Sequence, residues 1–119
     1  MDAISKRVGG TTMRFTWTSG PTQGKAHDHR FGEDGNVEWR SAASKEAQPA
    51  VSAGEAERAR YAAIDVSDDV CLVSYLAKSG YTLTVALNFV DSTVCGVASN
   101  EKTWTPVRGA FEVLDPLTD

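Results

Sequence analysis

Tyr81-Thr82-Leu83-Thr84-Val85-Ala86-Leu87-Asn88-Phe89 decides how the rest of the chain is read. Tyr, Leu, Val, Leu and Phe occupy every second position, and small or polar residues fill the gaps. In a β-strand successive side chains point to opposite faces, so this alternation describes a strand with one buried face. The same period recurs in Met13-Arg14-Phe15-Thr16-Trp17, in Val37-Glu38-Trp39-Arg40 and in Phe111-Glu112-Val113. Turn formers separate the runs: Ser19-Gly20-Pro21, Glu33-Asp34-Gly35-Asn36, Ser67-Asp68-Asp69, Ser79-Gly80 and Asp91-Ser92. Eight strands are predicted, near 12–18, 25–32, 36–42, 58–66, 70–77, 81–90, 93–100 and 108–114.

Short links between most of these strands imply antiparallel neighbours. Closing such a series into an up-and-down barrel removes the exposed edges that an open sheet leaves. The predicted fold is therefore all-β, an eight-stranded antiparallel barrel forming a single domain over 1–119, its core spanning about 9–114. A β-sandwich of the same strand count is the alternative. The segment from Ser44 to Glu57 is rich in Ala, Ser and Glu and has no apolar stripe, so it reads as a loop at a cavity rim, with Gly54 to Arg58 able to form a short helix.

The 119 residues carry a net charge of −4, and that sign argues against a nucleic-acid partner, which calls for clustered Lys and Arg in excess. There are two histidines, too few for a three-histidine metal site, and no apolar run long enough to span a membrane. Met1 to Gly10 lacks the apolar stretch of a secretory signal, so a cytoplasmic location is expected. Cys71 and Cys95 each sit in an apolar run without CxxC spacing, and both read as buried, reduced thiols.

Taking the apolar parity as inward places Met13, Phe15, Trp17, Trp39, Val73, Tyr75, Leu83, Val85, Leu87 and Phe89 in the lumen. The parity of Phe31 brings in His27 and His29. The fourth strand is assigned Ala62, Ile64 and Val66 as its inward face, which carries Arg58 and Arg60 inward and leaves Tyr61 outside. An aromatic cavity with a few convergent polar groups is the usual make-up of a small-molecule site. The candidate ligand-binding residues are Phe15, Trp17, Trp39, Arg60, Tyr75, Leu87 and Phe89, with Arg60 able to hold an anionic group. His27 and His29, with ordinary pKa values close to neutrality, are the candidate acid and base. His27-x-His29 followed by Glu33 resembles part of a cupin metal motif, but the second histidine motif is missing, so no metal or other cofactor is expected.

Trp17-Thr18-Ser19-Gly20-Pro21, His27-Asp28-His29-Arg30-Phe31, Asp34-Gly35-Asn36-Val37-Glu38-Trp39, Val73-Ser74-Tyr75-Leu76, Tyr81 to Phe89 and Ala98-Ser99-Asn100 together resemble the MoaF-like proteins. These are small bacterial lipocalin-like (calycin) barrels, and the resemblance implies the same fold over roughly Gly9 to Leu114. A more distant similarity is to phenolic acid decarboxylase, another small lipocalin-like barrel. There Phe15 and Trp17 stand where that family has its catalytic tyrosine pair, Ala77 where it has its glutamate, and His27 where it has a further tyrosine. That chemistry lacks its groups here. Three functions follow as expectations: binding of a small apolar or aromatic molecule inside the barrel, an isomerase, cyclase or lyase using His27 or His29, or an interaction protein with a filled barrel. A homodimer is a further expectation.

Overall fold

The computed structural model describes residues 5–20, 23–42, 57–77 and 80–114. Eight strands follow one another: β1 (Thr11–Ser19), β2 (Ala26–Phe31), β3 (Asn36–Ala42), β4 (Glu57–Asp65), β5 (Val70–Leu76), β6 (Thr82–Asn88), β7 (Thr93–Ser99) and β8 (Trp104–Leu114). Every strand pairs antiparallel with its neighbours in sequence, and β8 returns to β1, which closes the barrel. The result is an all-β barrel consistent with a lipocalin-like fold. Among the described residues no helix is long and apolar enough to cross a membrane. The Ser44 to Glu57 loop falls outside the described residues except for Glu57, and Glu57 and Arg58 begin β4 rather than end a helix.

Two differences from the predicted strands have local causes. The strand predicted from 108 starts at Trp104 and runs through Pro106, a residue that central ladders exclude. Pro106 lies opposite Val97, at a level where β1 has already left β8, since their register ends at Ser19 and Arg108. Its missing N–H therefore falls on the unpaired side. The second difference is the parity of β4. Tyr61 and Ala63 are buried with Ala59 half-buried beside them, whereas Arg58, Arg60, Ala62, Ile64 and Val66 are exposed. Trp39 on β3 and Tyr75 on β5 point inward beside β4, and Phe31 reaches across from β2 to the Tyr61 ring, so small alanines leave room for those rings. Tyr61, the one large inward residue, donates its hydroxyl proton to the Gly32 carbonyl at 2.7 Å.

The core is a single cluster within the barrel, built around Met13, Phe15, Phe31, Val37, Val73, Val85, Leu87 and Phe111. One end is plugged. Ser5 to Gly10 folds back under the strands: Ser5 N–H donates to the Ala63 carbonyl at 2.9 Å, Gly10 N–H donates to Phe31 at 2.7 Å, and Val8 is fully buried. The Arg7 guanidinium stacks over the Phe89 ring at 4.7 Å. Gly96 lies opposite Val85 on the inward parity of β7, and a Cβ there would stand on the Thr84 carbonyl oxygen. Cys71 is buried as expected. Cys95, expected to be buried, is exposed, because inward positions on β7 belong to Val94, Gly96 and Ala98.

Candidate functional site at the barrel mouth

The end opposite the plug is where β1, β3, β5 and β7 finish and β2, β4, β6 and β8 begin. Trp17, His27, Trp39, Tyr75 and Leu83 reach it from five strands. Trp17 and Tyr75 are buried, while His27, Trp39 and Leu83 are half-buried and form the accessible part of the rim. Trp39 lies against Tyr75 with ring centroids 4.5 Å apart. Glu57, paired across from Trp39, stands exposed at the same level and exerts its charge on both His27 and Tyr75.

His27 and His29 share a face, as expected of residues two apart on a strand, but they occupy different environments. His27 accepts a hydrogen bond on Nδ1 from the Trp17 indole N–H at 3.1 Å. Because the indole can only donate, the neutral His27 ring carries its proton on Nε2. Partial burial, with Lys25 nearby, lowers its pKa. His29 lies one layer deeper and is 1% exposed. It stacks on Phe15 at 4.4 Å and lies near-parallel to Phe31 and Trp39, with centroids at 5.7 and 6.1 Å. Its Nε2 is 2.7 Å from the Tyr75 hydroxyl. Nδ1 closes no hydrogen bond among the described residues, although the His27 backbone lies near the ring. Removal from water pushes the His29 pKa down to about 3. The same cause raises that of Tyr75, which therefore keeps its proton, so a neutral hydroxyl and a neutral imidazole share this hydrogen bond.

The remaining candidates are distributed through the barrel. Phe15 and Leu87 are fully buried below the mouth and form its floor and core. Phe89 belongs to the plugged end, under Arg7 and edge-on to Phe111. Arg60 is a correction: it points outward and is exposed, so it is not in the lumen. Arg58 likewise points outward and bonds Glu38 at 2.6 Å. Glu33 sits in the β2–β3 turn at the plugged end, its carboxylate beside Gly10, far along the strand from His27. Among the described residues no three His, Cys, Asp or Glu side chains come together as a metal site. A groove of about 650 Å³ lies outside the barrel between the plug and the β4–β5 turn, lined by Ser5, Lys6, Arg7 and residues 64–68. It is separate from the mouth.

One residue at the mouth, Glu57, has no local signal in the sequence that ties it to His27. Tyr61 belongs to the core, its hydroxyl on Gly32 towards the plugged end; an aromatic ring flanked at i±2 by alanines is the signal that competes with the Ile64 parity.

No family model matches the chain, and no curated protein matches it. A solved structure does. The crystal structure of a Burkholderia vietnamiensis protein, provisionally named a β-lactamase, superposes with a TM-score of 0.71 at 13% identity. The match covers 94% of this chain and 99% of that one. What is shared is the fold.

Proposed function

We propose that this barrel binds a small, flat aromatic or apolar molecule at its mouth, against Trp39 and Leu83 and beside His27, as a member of the MoaF-like group of lipocalin-like proteins. The observation that carries this reading is the half-buried Trp39, packed at a tilt against a buried Tyr75 at the barrel end opposite Ser5 to Gly10. A half-buried ring backed by a packed aromatic layer is a preformed surface for a flat ligand. The layer beneath, Phe15 with His29, is already filled, so the ligand rests on it rather than sinking into the lumen.

The hydrogen bonds at the two histidines favour binding over acid–base catalysis. A general base needs a free lone pair near the substrate. On His27 that lone pair holds the Trp17 N–H, and His29 is sealed from the mouth with Nε2 tied to the Tyr75 hydroxyl. The name of the Burkholderia structure suggests hydrolysis of a β-lactam as a second reading. Ser99 and Lys102 have the S-x-x-K spacing of serine β-lactamases, but they lie at a strand end and in the following turn. Three residues apart there, they do not share the helical face that brings such a pair together.

Titration with 1-anilinonaphthalene-8-sulfonate, a flat aromatic anion, tests the reading. Saturable 1:1 binding that Trp39→Ala abolishes and Trp104→Ala leaves intact is expected, since Trp104 is exposed on the outer surface. Binding that survives Trp39→Ala refutes it. Turnover of a chromogenic β-lactam that His27→Ala abolishes would replace it with the enzymatic reading.

A further inference from the structure

The hydrogen bond between Trp17 and His27 decides what the mouth can offer a ligand. The Trp17 indole can only donate, and its N–H occupies His27 Nδ1 at 3.1 Å. A neutral imidazole has one lone pair and one N–H, so the proton is left on Nε2. Partial burial, with Lys25 nearby, favours this neutral form. Among the described residues Nε2 has no partner, yet the only buried side-chain nitrogen or oxygen without one is His29 Nδ1. The His27 Nε2–H is therefore open to water at the mouth, where Trp39 and Leu83 are also half-buried. The other polar groups of the rim do not reverse this. Trp39 carries a second indole, which adds a donor and no acceptor. The Tyr75 hydroxyl is engaged with His29 Nε2 at 2.7 Å. Glu57 can accept, but it stands exposed, where a ligand donor would only replace water.

We infer that Trp17 sets the specificity of the mouth by fixing the His27 tautomer, so that the flat molecules taken there carry a hydrogen-bond acceptor, such as a ring nitrogen or a carbonyl. This selectivity rests on the binding reading above and adds the polar half of the ligand to it. An acceptor laid beside Nε2–H closes a hydrogen bond with a partly desolvated donor. A ligand whose polar edge only donates sets two donors face to face and leaves both unpaired. Lys25 and Glu57 act on the His27 ring with opposite sign, so the acceptor need not be charged. Trp17 acts through His27 as a positioning residue, and the barrel holds it for that role. Phe15 lies opposite His27 in the β1–β2 ladder, and Trp17 is the next inward residue on β1, within diagonal reach of the imidazole. Its ring is 4% exposed and packs edge-on to Phe15 at 5.6 Å. With the opposite tautomer, the Nδ1 proton would face the indole N–H in this enclosed place. The tautomer is thus set by a packed side chain rather than by solvent.

Two measurements on the whole chain test this. Long-range proton–nitrogen NMR correlations of the imidazoles, at about pH 8 where the ring is neutral, read the tautomer without any ligand. His27 is expected with its proton on Nε2 in the wild type and as a mixture of both tautomers in Trp17→Phe. A wild-type His27 protonated on Nδ1 overturns the inference. Displacement of bound 1-anilinonaphthalene-8-sulfonate reads the selectivity. Isoquinoline only accepts, indole only donates and naphthalene does neither, on rings of similar size. Isoquinoline should displace the probe at roughly tenfold lower concentration than indole, with naphthalene between them, and Trp17→Phe should narrow the gap to about twofold. Both wild-type readouts hold whether or not Trp17→Phe folds. Equal potency of isoquinoline and indole, with the probe still lost in Trp39→Ala, overturns the selectivity and leaves the binding reading standing. A probe that does not bind, or that binds regardless of Trp39, overturns the binding reading and the selectivity with it.

Discussion

His29 offers a quantitative check on the packed aromatic layer. In the folded chain its imidazole is 1% exposed and its pKa is held down to about 3; in the unfolded chain it returns to the ordinary value near 6.5. Above pH 6.5 the ring is neutral in both states and contributes nothing to the pH dependence. Below that value the unfolded chain takes up a proton that the folded chain refuses. Stability therefore falls as pH falls, and continues to fall until about pH 3, where the folded ring protonates too. The limiting slope is about 1.4 kcal/mol per pH unit, which integrates to ~2 kcal/mol between pH 7 and pH 5. For a domain of this size that is a drop of roughly 1–2 M in the urea midpoint. The assay is urea unfolding at half-unit pH steps for the wild type and His29→Gln, which has no titrating ring and retains a partner for the Tyr75 hydroxyl. Subtracting the two curves cancels His27 and the carboxylates. Parallel curves between pH 7 and pH 5 would refute the reasoning. So would an NMR titration in which both imidazoles, the chain's two, have midpoints near 6.5.

Two further substitutions probe the same barrel. Tyr75→Phe keeps the ring against Trp39 but removes the hydroxyl from His29 Nε2, leaving a buried nitrogen unpaired; a loss of about 1–3 kcal/mol is expected by urea denaturation. Gly96→Ala drives a Cβ into backbone atoms of Thr84 and Val85 that belong to the adjacent strand, so the β6–β7 ladder must part. A loss of more than about 3 kcal/mol, read as a much lower melting temperature or as insoluble protein, is the expected outcome.

Period two in Tyr81 to Phe89 and its repeats determined the strands and their inward faces wherever one parity was plainly apolar, as on β1 and β6. The short turns determined antiparallel neighbours, and eight strands without helices left closure as the way to cover the apolar faces. On β4 this logic selected the wrong face, because Ala59, Tyr61 and Ala63 are less apolar in sum than Ala62, Ile64 and Val66. What selected the right one was the space left by Phe31, Trp39 and Tyr75 on β2, β3 and β5, and no single strand contains that information. Arg60 followed its strand outward and left the candidate site with it. The histidines show the same division of labour. Their spacing on β2 placed both on one inward face. Only the assembled barrel decided that one layer of depth separates a half-buried His27 from a His29 sealed among Phe15, Phe31 and Trp39. Local alternation encodes which side of a strand faces inward. Depth along the barrel axis, and hence water, pKa and access, is set by residues far apart in the chain that converge only when β8 closes on β1.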